Sequence, residues 1–207
     1  MPLAVRKPVS IRQRVPVTWT GAGRRPGAPL FWQERNRDAD RGQRRQHGDV
    51  PDVAWDEVRE WFDPETNGVL PDVHVPETTV ADWQAVVDLV RSKGWAYEYA
   101  VDGRVVRMPH LVEDMLRLRD EATVTLKVWP SPEVLAIFRP YTAEQIDFDV
   151  DLRELQGQQR LDVLCQFMKA LGRRLGKPVV MTAEGGESVP LIAYEVERDR
   201  VVVVADG

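Results

Sequence analysis

The chain has 207 residues, with 28 basic and 33 acidic side chains, a net charge of −5 and a single cysteine. That length suits one substantial domain with an arm, and 43 % hydrophobic against 29 % charged residues is a globular balance that excludes wholesale disorder and fibrous repeats. One cysteine excludes an internal disulfide or a cysteine-based zinc site, and no run approaches the roughly 20 apolar residues of a membrane-spanning helix.

The first thirty residues lack the apolar centre of a secretory signal, which predicts a cytoplasmic protein. Of the basic residues 23 are Arg and 5 are Lys, a bias of GC-rich genomes that should not be read by itself as nucleic-acid chemistry. Charge is unevenly divided. Residues 1–50 hold 11 basic and 4 acidic side chains, a balance of +7, which leaves −12 for residues 51–207. The expected organisation is therefore a basic, Arg-rich N-terminal arm on a single acidic domain.

Within the arm, Arg24, Arg25, Arg35, Arg37, Arg41, Arg44 and Arg45 accompany Trp19, Phe31 and Trp32. Cations with interleaved aromatics suit a nucleic-acid contact, but no recognised motif joins them, and docking on the acidic body is the simpler expectation.

From residue 52 the punctuation becomes regular. Asp52 is expected to cap a helix whose apolar side is Trp55, Val58 and Phe62, stopped by Asp63-Pro64. Residues 69–75 alternate like a strand. Thr79 with Asp82 forms a capping-box pattern ahead of Val80, Trp83, Val87 and Val90, and Gly94 supplies the helix stop. A strand over residues 95–101 turns at Asp102-Gly103 into a second over 104–108. A helix is expected over 110–119, then a hairpin of residues 123–129 and 134–138 around Pro130-Ser131-Pro132.

Residues 146–152 alternate apolar and acidic side chains almost without fault. The clearest helix follows, with Leu161, Leu164, Cys165, Met168, Leu171 and Leu175 on one stripe and Gly176-Lys177-Pro178 as its stop. Strands are expected over 179–182, 191–196 and 201–204. Residues 69–101 and 146–182 share a strand–helix–strand plan. The predicted fold is α+β: a mostly antiparallel sheet with helices packed on one face, built from two βαβ-like units as a ferredoxin-like variant.

Asp147, Asp149 and Asp151 are the most suggestive constellation, since a period of two directs all three carboxylates to one side of a strand. A hard divalent cation is one reading. The calcium-loop pattern fails, because it needs Gly and Glu where Leu152 and Gln158 stand. A solvated strip that steers a basic protein partner is the other reading, with Trp129 as an aromatic contact beside the Pro-rich turn.

Other chemistries lack support. Cys165 lies on an apolar stripe, where an inert thiol is expected. His47, His74 and His110 have no ligand spacing. Ser188 lacks a nucleophile elbow. Gly172–Lys177 ends a helix where a phosphate loop would begin one. Glu184 and Glu187 border a loop without further signs of an acid/base pair.

In manner, as a compact acidic α+β chain with no catalytic constellation, the protein resembles bacterial immunity proteins, a likeness that covers no motif and carries over no residue. The leading expectation is a non-catalytic protein-binding module, of immunity or accessory type, that engages a basic toxin or effector through Asp147, Asp149, Asp151 and Trp129 and requires no cofactor. The alternatives are a metal-dependent enzyme acting on a phosphate ester or nucleotide through the same aspartates, and a nucleic-acid-binding accessory using the arm.

Overall fold

The computed structural model describes residues 50–184 and 190–204. The arm, with Trp19, Phe31, Trp32, His47 and its arginines, lies outside the described residues, as do Glu187 and Ser188.

Among the described residues nine strands form one wholly antiparallel sheet: β1 (Asp72–Val75), β2 (Ala96–Val101), β3 (Arg104–Val105), β4 (Val124–Ser131), β5 (Val134–Phe138), β6 (Ile146–Val150), β7 (Val179–Thr182), β8 (Pro190–Glu195) and β9 (Arg200–Val203). Their order across the sheet is β3-β2-β4-β5-β6-β1-β7-β8-β9. The helices are α1 (Trp55–Val58), α2 (Val80–Lys93), α3 (Val112–Leu118) and α4 (Gln158–Leu175). The fold is thus mixed α+β with a mostly hairpin-connected sheet.

Both strand–helix–strand units exist, β1-α2-β2 and β6-α4-β7. Because β1 pairs antiparallel with β6 and with β7, those two run parallel to each other with β1 inserted between them.

Local chemistry accounts for most boundaries. The Thr79 hydroxyl accepts from the Asp82 backbone N–H while the Asp82 carboxylate accepts from the Thr79 N–H, a complete capping box for α2. Gly94 ends that helix at φ +68°, and Asp102-Gly103 takes positive φ at both residues, as a tight two-residue hairpin requires. The Gln84 side chain joins α2 to α3: its oxygen accepts from the Val112 N–H and its amide donates to the His110 carbonyl.

Three elements differ from expectation. Asp52 caps no helix; its carboxylate pairs with Lys169 at 2.7 Å and accepts from the Val201 N–H, while its carbonyl accepts from Arg200. The helix expected after it shrinks to the single turn of α1. Pro71 delays the strand expected from residue 69, so β1 starts at Asp72. The third difference is the end of β6 at Val150, where Asp151 becomes the N-cap of a 3₁₀ turn over Leu152–Glu154.

The core is one cluster running from Val53 to Val201, with Trp83, Phe138, Phe148, Phe167 and Tyr194 among its largest members. Phe138, Phe148 and Phe167 meet mutually, with centroids 4.7 to 6.2 Å apart. In this way β5, β6 and α4 are locked together by aromatic contacts. Helix α4 lies against β4, β5, β7, β8 and β9, and α2 packs on α4 and α3.

Candidate functional site on the second sheet face

Residues opposite one another in an antiparallel ladder share a sheet face. Val73, Val75, Ile146 and Phe148 point into the core, so Asp72, His74, Asp147 and Asp149 point the other way. Across the central pair, Asp72 stands opposite Asp149 and His74 opposite Asp147. The ladder extends this second face outward: Asp149 opposes Ile137, Ile137 opposes Lys127, and Lys127 opposes Glu98. Trp129, two residues along β4 from Lys127, belongs to the same face and opposes Ala96.

The ladder thus puts Asp147, Asp149 and Trp129 on one face of the sheet, with β5 between Trp129 and the two acids, and their environments differ from a solvated strip. Asp149 is 6 % exposed and holds an ion pair with Arg139, which follows β5. Asp151 lies beyond the strand, where it accepts from the Arg153 backbone N–H and pairs with its guanidinium at 2.6 Å. Asp147 is half-buried. Trp129, expected at an exposed lip, is 6 % exposed. Arginines engage both Asp149 and Asp151, and among the described residues no group of three His, Cys, Asp or Glu side chains could hold a metal ion.

His74 sits in this setting too. Burial pushes its imidazole below the ordinary value, and the nearby Asp72 carboxylate offsets that only in part. The neutral imidazole is the form suited to this half-buried strand. The sequence shows no ligand spacing around it, and its place opposite Asp147 follows from a strand pairing between residues far apart in the chain, which no local pattern displays.

The remaining candidates have structural roles. Cys165 is buried, and its thiol is pushed up to about 12 by that burial, so it carries essentially no thiolate at neutral pH. Glu184 accepts from the Val69 and Leu70 N–H groups at 2.6 and 3.0 Å, which ties the loop ahead of β1 to the end of β7. The segment Gly172–Lys177 closes α4, with Gly176 in the left-handed conformation at φ +62°. Trp83 is core and donates to the Thr142 carbonyl, while Trp55 and Trp95 pack edge-on against Phe62 and Phe167.

Helix α4 also carries a network that the sequence did not suggest. Arg173 forms a two-bond fork on Asp199, 2.6 Å at each contact, and the Tyr194 hydroxyl donates to the same carboxylate at 3.0 Å. These contacts hold the Asp199 carboxyl at about 2. They fasten the helix end to the β8–β9 turn.

No helix among the described residues is long and apolar enough to cross a membrane. Comparison of the chain with protein-family models, with curated proteins and with solved structures finds no match.

Proposed function

We propose that the chain is a cytoplasmic, non-catalytic protein-binding module, of immunity or accessory type, that receives a basic partner on the second face of its sheet. In this reading the helices form one layer over the core side and leave that face to the partner. The observation that carries the proposal is the register of β1 with β6, which sets Asp72 and Asp147 on the second face of the two central strands, with His74 neutral between them.

Carboxylates on a broad, rigid sheet steer a cationic protein and need supply no chemistry. That Asp149 and Asp151 are each engaged by an arginine favours this reading over the metal-dependent alternative.

The experiment is affinity capture from nuclease-treated native lysate, comparing the wild-type chain with Asp147→Lys. The expected result is one stoichiometric basic protein whose capture falls about tenfold or more with the variant and weakens with salt, as charge-steered association requires. Capture that survives the charge reversal at physiological ionic strength overturns the assignment of the face.

A further inference from the structure

Helix α4 carries a second apolar row. Beside its core stripe, Val163, Phe167 and Ala170 recur at spacings of four and three residues, and Arg174 follows four later. A helix on the outside of a domain normally turns polar side chains to water, so half-buried Val163 and Ala170 are exceptions. They line one side of an open groove of about 610 Å³, with Phe167 and Leu89 as its floor. Trp95 and the C-terminal end of α2 form the other side. Trp95 meets Phe167 edge-on with centroids 4.9 Å apart, and Arg174 donates to the Ala85 carbonyl at 3.5 Å. The two helices therefore run in opposite directions along the groove, and Val163 to Arg174 spans about 16 Å, three helical turns.

The charge of the groove runs against that of the body. Residues 51–207 carry −12, yet Lys93, Lys169, Arg173 and Arg174 line the groove against the single carboxylate of Asp162. Lys169 and Arg173 are matched by Asp52 and Asp199. Lys93 and Arg174 hold no carboxylate among the described residues. These two do not converge on one point. Arg174 stands beside Ala85, and Lys93 lies two turns, about 12 Å, further along α2, with Leu89 between them.

That spacing discriminates between occupants. A small organic anion is fixed by polar groups that converge on it. Two cations bracketing an apolar floor instead suit acids two turns apart on another helix, with an apolar side chain between them.

We propose that the groove between α2 and α4 receives an acidic amphipathic helix of a partner protein, its apolar row on Leu89, Phe167 and Ala170 and its carboxylates on Lys93 and Arg174. No wall of the groove belongs to β1 or β6, so this contact is separate from the one proposed for the second sheet face. A chain that uses both joins an acidic helix to a basic protein.

The probe is a fluorescently labelled synthetic peptide of about 14 residues, four helical turns, with Leu on one face and Glu on its flanks. Its binding to the full chain is read by fluorescence anisotropy beside two control peptides, one with every Glu replaced by Gln and one with a central Pro that breaks the helix. The net charge of −5 repels the acidic peptide at long range, so its binding reports on the groove. It is expected to bind about tenfold or more tightly than either control. Lys93→Glu combined with Arg174→Glu should weaken binding about tenfold or more, and so should Ala170→Glu, which sets a charge in the middle of the groove. The first pair of changes is fully on the surface, so it carries the test alone if Ala170→Glu fails to fold.

No binding of the acidic peptide, equal binding of all three peptides, or binding that survives the Lys93 and Arg174 reversals overturns the inference. Binding of anilinonaphthalene sulfonate that is lost in Ala170→Glu, with no binding of the acidic peptide, also overturns it, since the groove then takes a small organic anion. A dimer of the free chain that dissociates with Ala170→Glu overturns it too, by seating a second copy there. Capture of a basic protein, compared between wild type and Asp147→Lys, tests the sheet face and alters none of these readings.

Discussion

Asp149 shows how a residue's chemistry is set by what faces it. The alternation of residues 146–152 places its carboxylate away from the core, and on sequence grounds its charge could be reversed without harm to the fold. In the structure it is a nearly buried acid whose charge is matched by Arg139. Asp149→Asn leaves that guanidinium without its counter-charge. The expected loss is on the order of 2–3 kcal/mol, below the usual figure for a fully buried pair because Arg139 keeps some contact with water. Chemical denaturation of the two proteins measures it, and an unchanged midpoint would show the pair to be inconsequential.

His74 has an opposite dependence on charge. Its folded value lies below the unfolded 6.5, so the unfolded chain binds more protons in the interval between them. The associated stability is fully present above about pH 6.5 and is lost as the pH falls through the folded value. Thermal melts between pH 7.5 and 5 should therefore show a decline that is shallower in His74→Gln. Identical slopes would mean that His74 does not titrate against stability. Asp72, whose carboxylate raises the value, moderates the effect without reversing its sign.

At the scale of elements, α4 depends on a glycine that composition alone would count as a weakness. A Cβ at Gly172 would stand 2.0 Å from Cδ1 of Tyr194, so the missing side chain is what allows the fully buried ring to lie against the helix. Gly172→Ala gains helix propensity worth about 1 kcal/mol but forces the ring or the helix to shift. We expect a net destabilisation of about 1–3 kcal/mol, the usual range for overpacking, read as a melting temperature several degrees lower. A rise in melting temperature would show that Tyr194 can move freely despite its bond to Asp199.

The elements themselves were legible wherever local chemistry decides them. Thr79 with Asp82, Gly94, Asp102-Gly103 and Gly176 all mark boundaries that the structure repeats, because capping and left-handed turns need only neighbours in the chain. Asp52 was misread for the opposite reason. Its partners, Lys169 and Val201, are more than a hundred residues away, and a lone acid before an apolar run looks the same whether it caps or clamps. Trp129 was misplaced likewise. A Pro-rich turn suggested exposure, while the ladder that sets it opposite Ala96 on the second face depends on a strand pairing across the chain. The pairing of β1 with both β6 and β7 was equally invisible, so the shared strand–helix–strand plan could be read and its arrangement could not.

For the whole molecule, that central position of β1 governs the timetable of assembly. Of the strands among the described residues it is made first, yet its neighbours on either side are β6 and β7, the second of which is complete only at Thr182. Until β6 is complete at Val150, Val73 and Val75 have no neighbouring strand, and until β7 follows they have one on a single side. The Asp52 clamp on β9 closes later still. Loop closure over such separations must be offset before native contacts reward it, which slows folding and lengthens the exposure of unpaired strands. A ribosome-bound chain can hold β2 to β6 with α2 and α3 beside them, but β1 gains its second flanking strand only with β7. The centre of the sheet thus closes only when residue 182 has been made, and a premature stop between residues 151 and 178 leaves β1 with β6 as its one flanking partner.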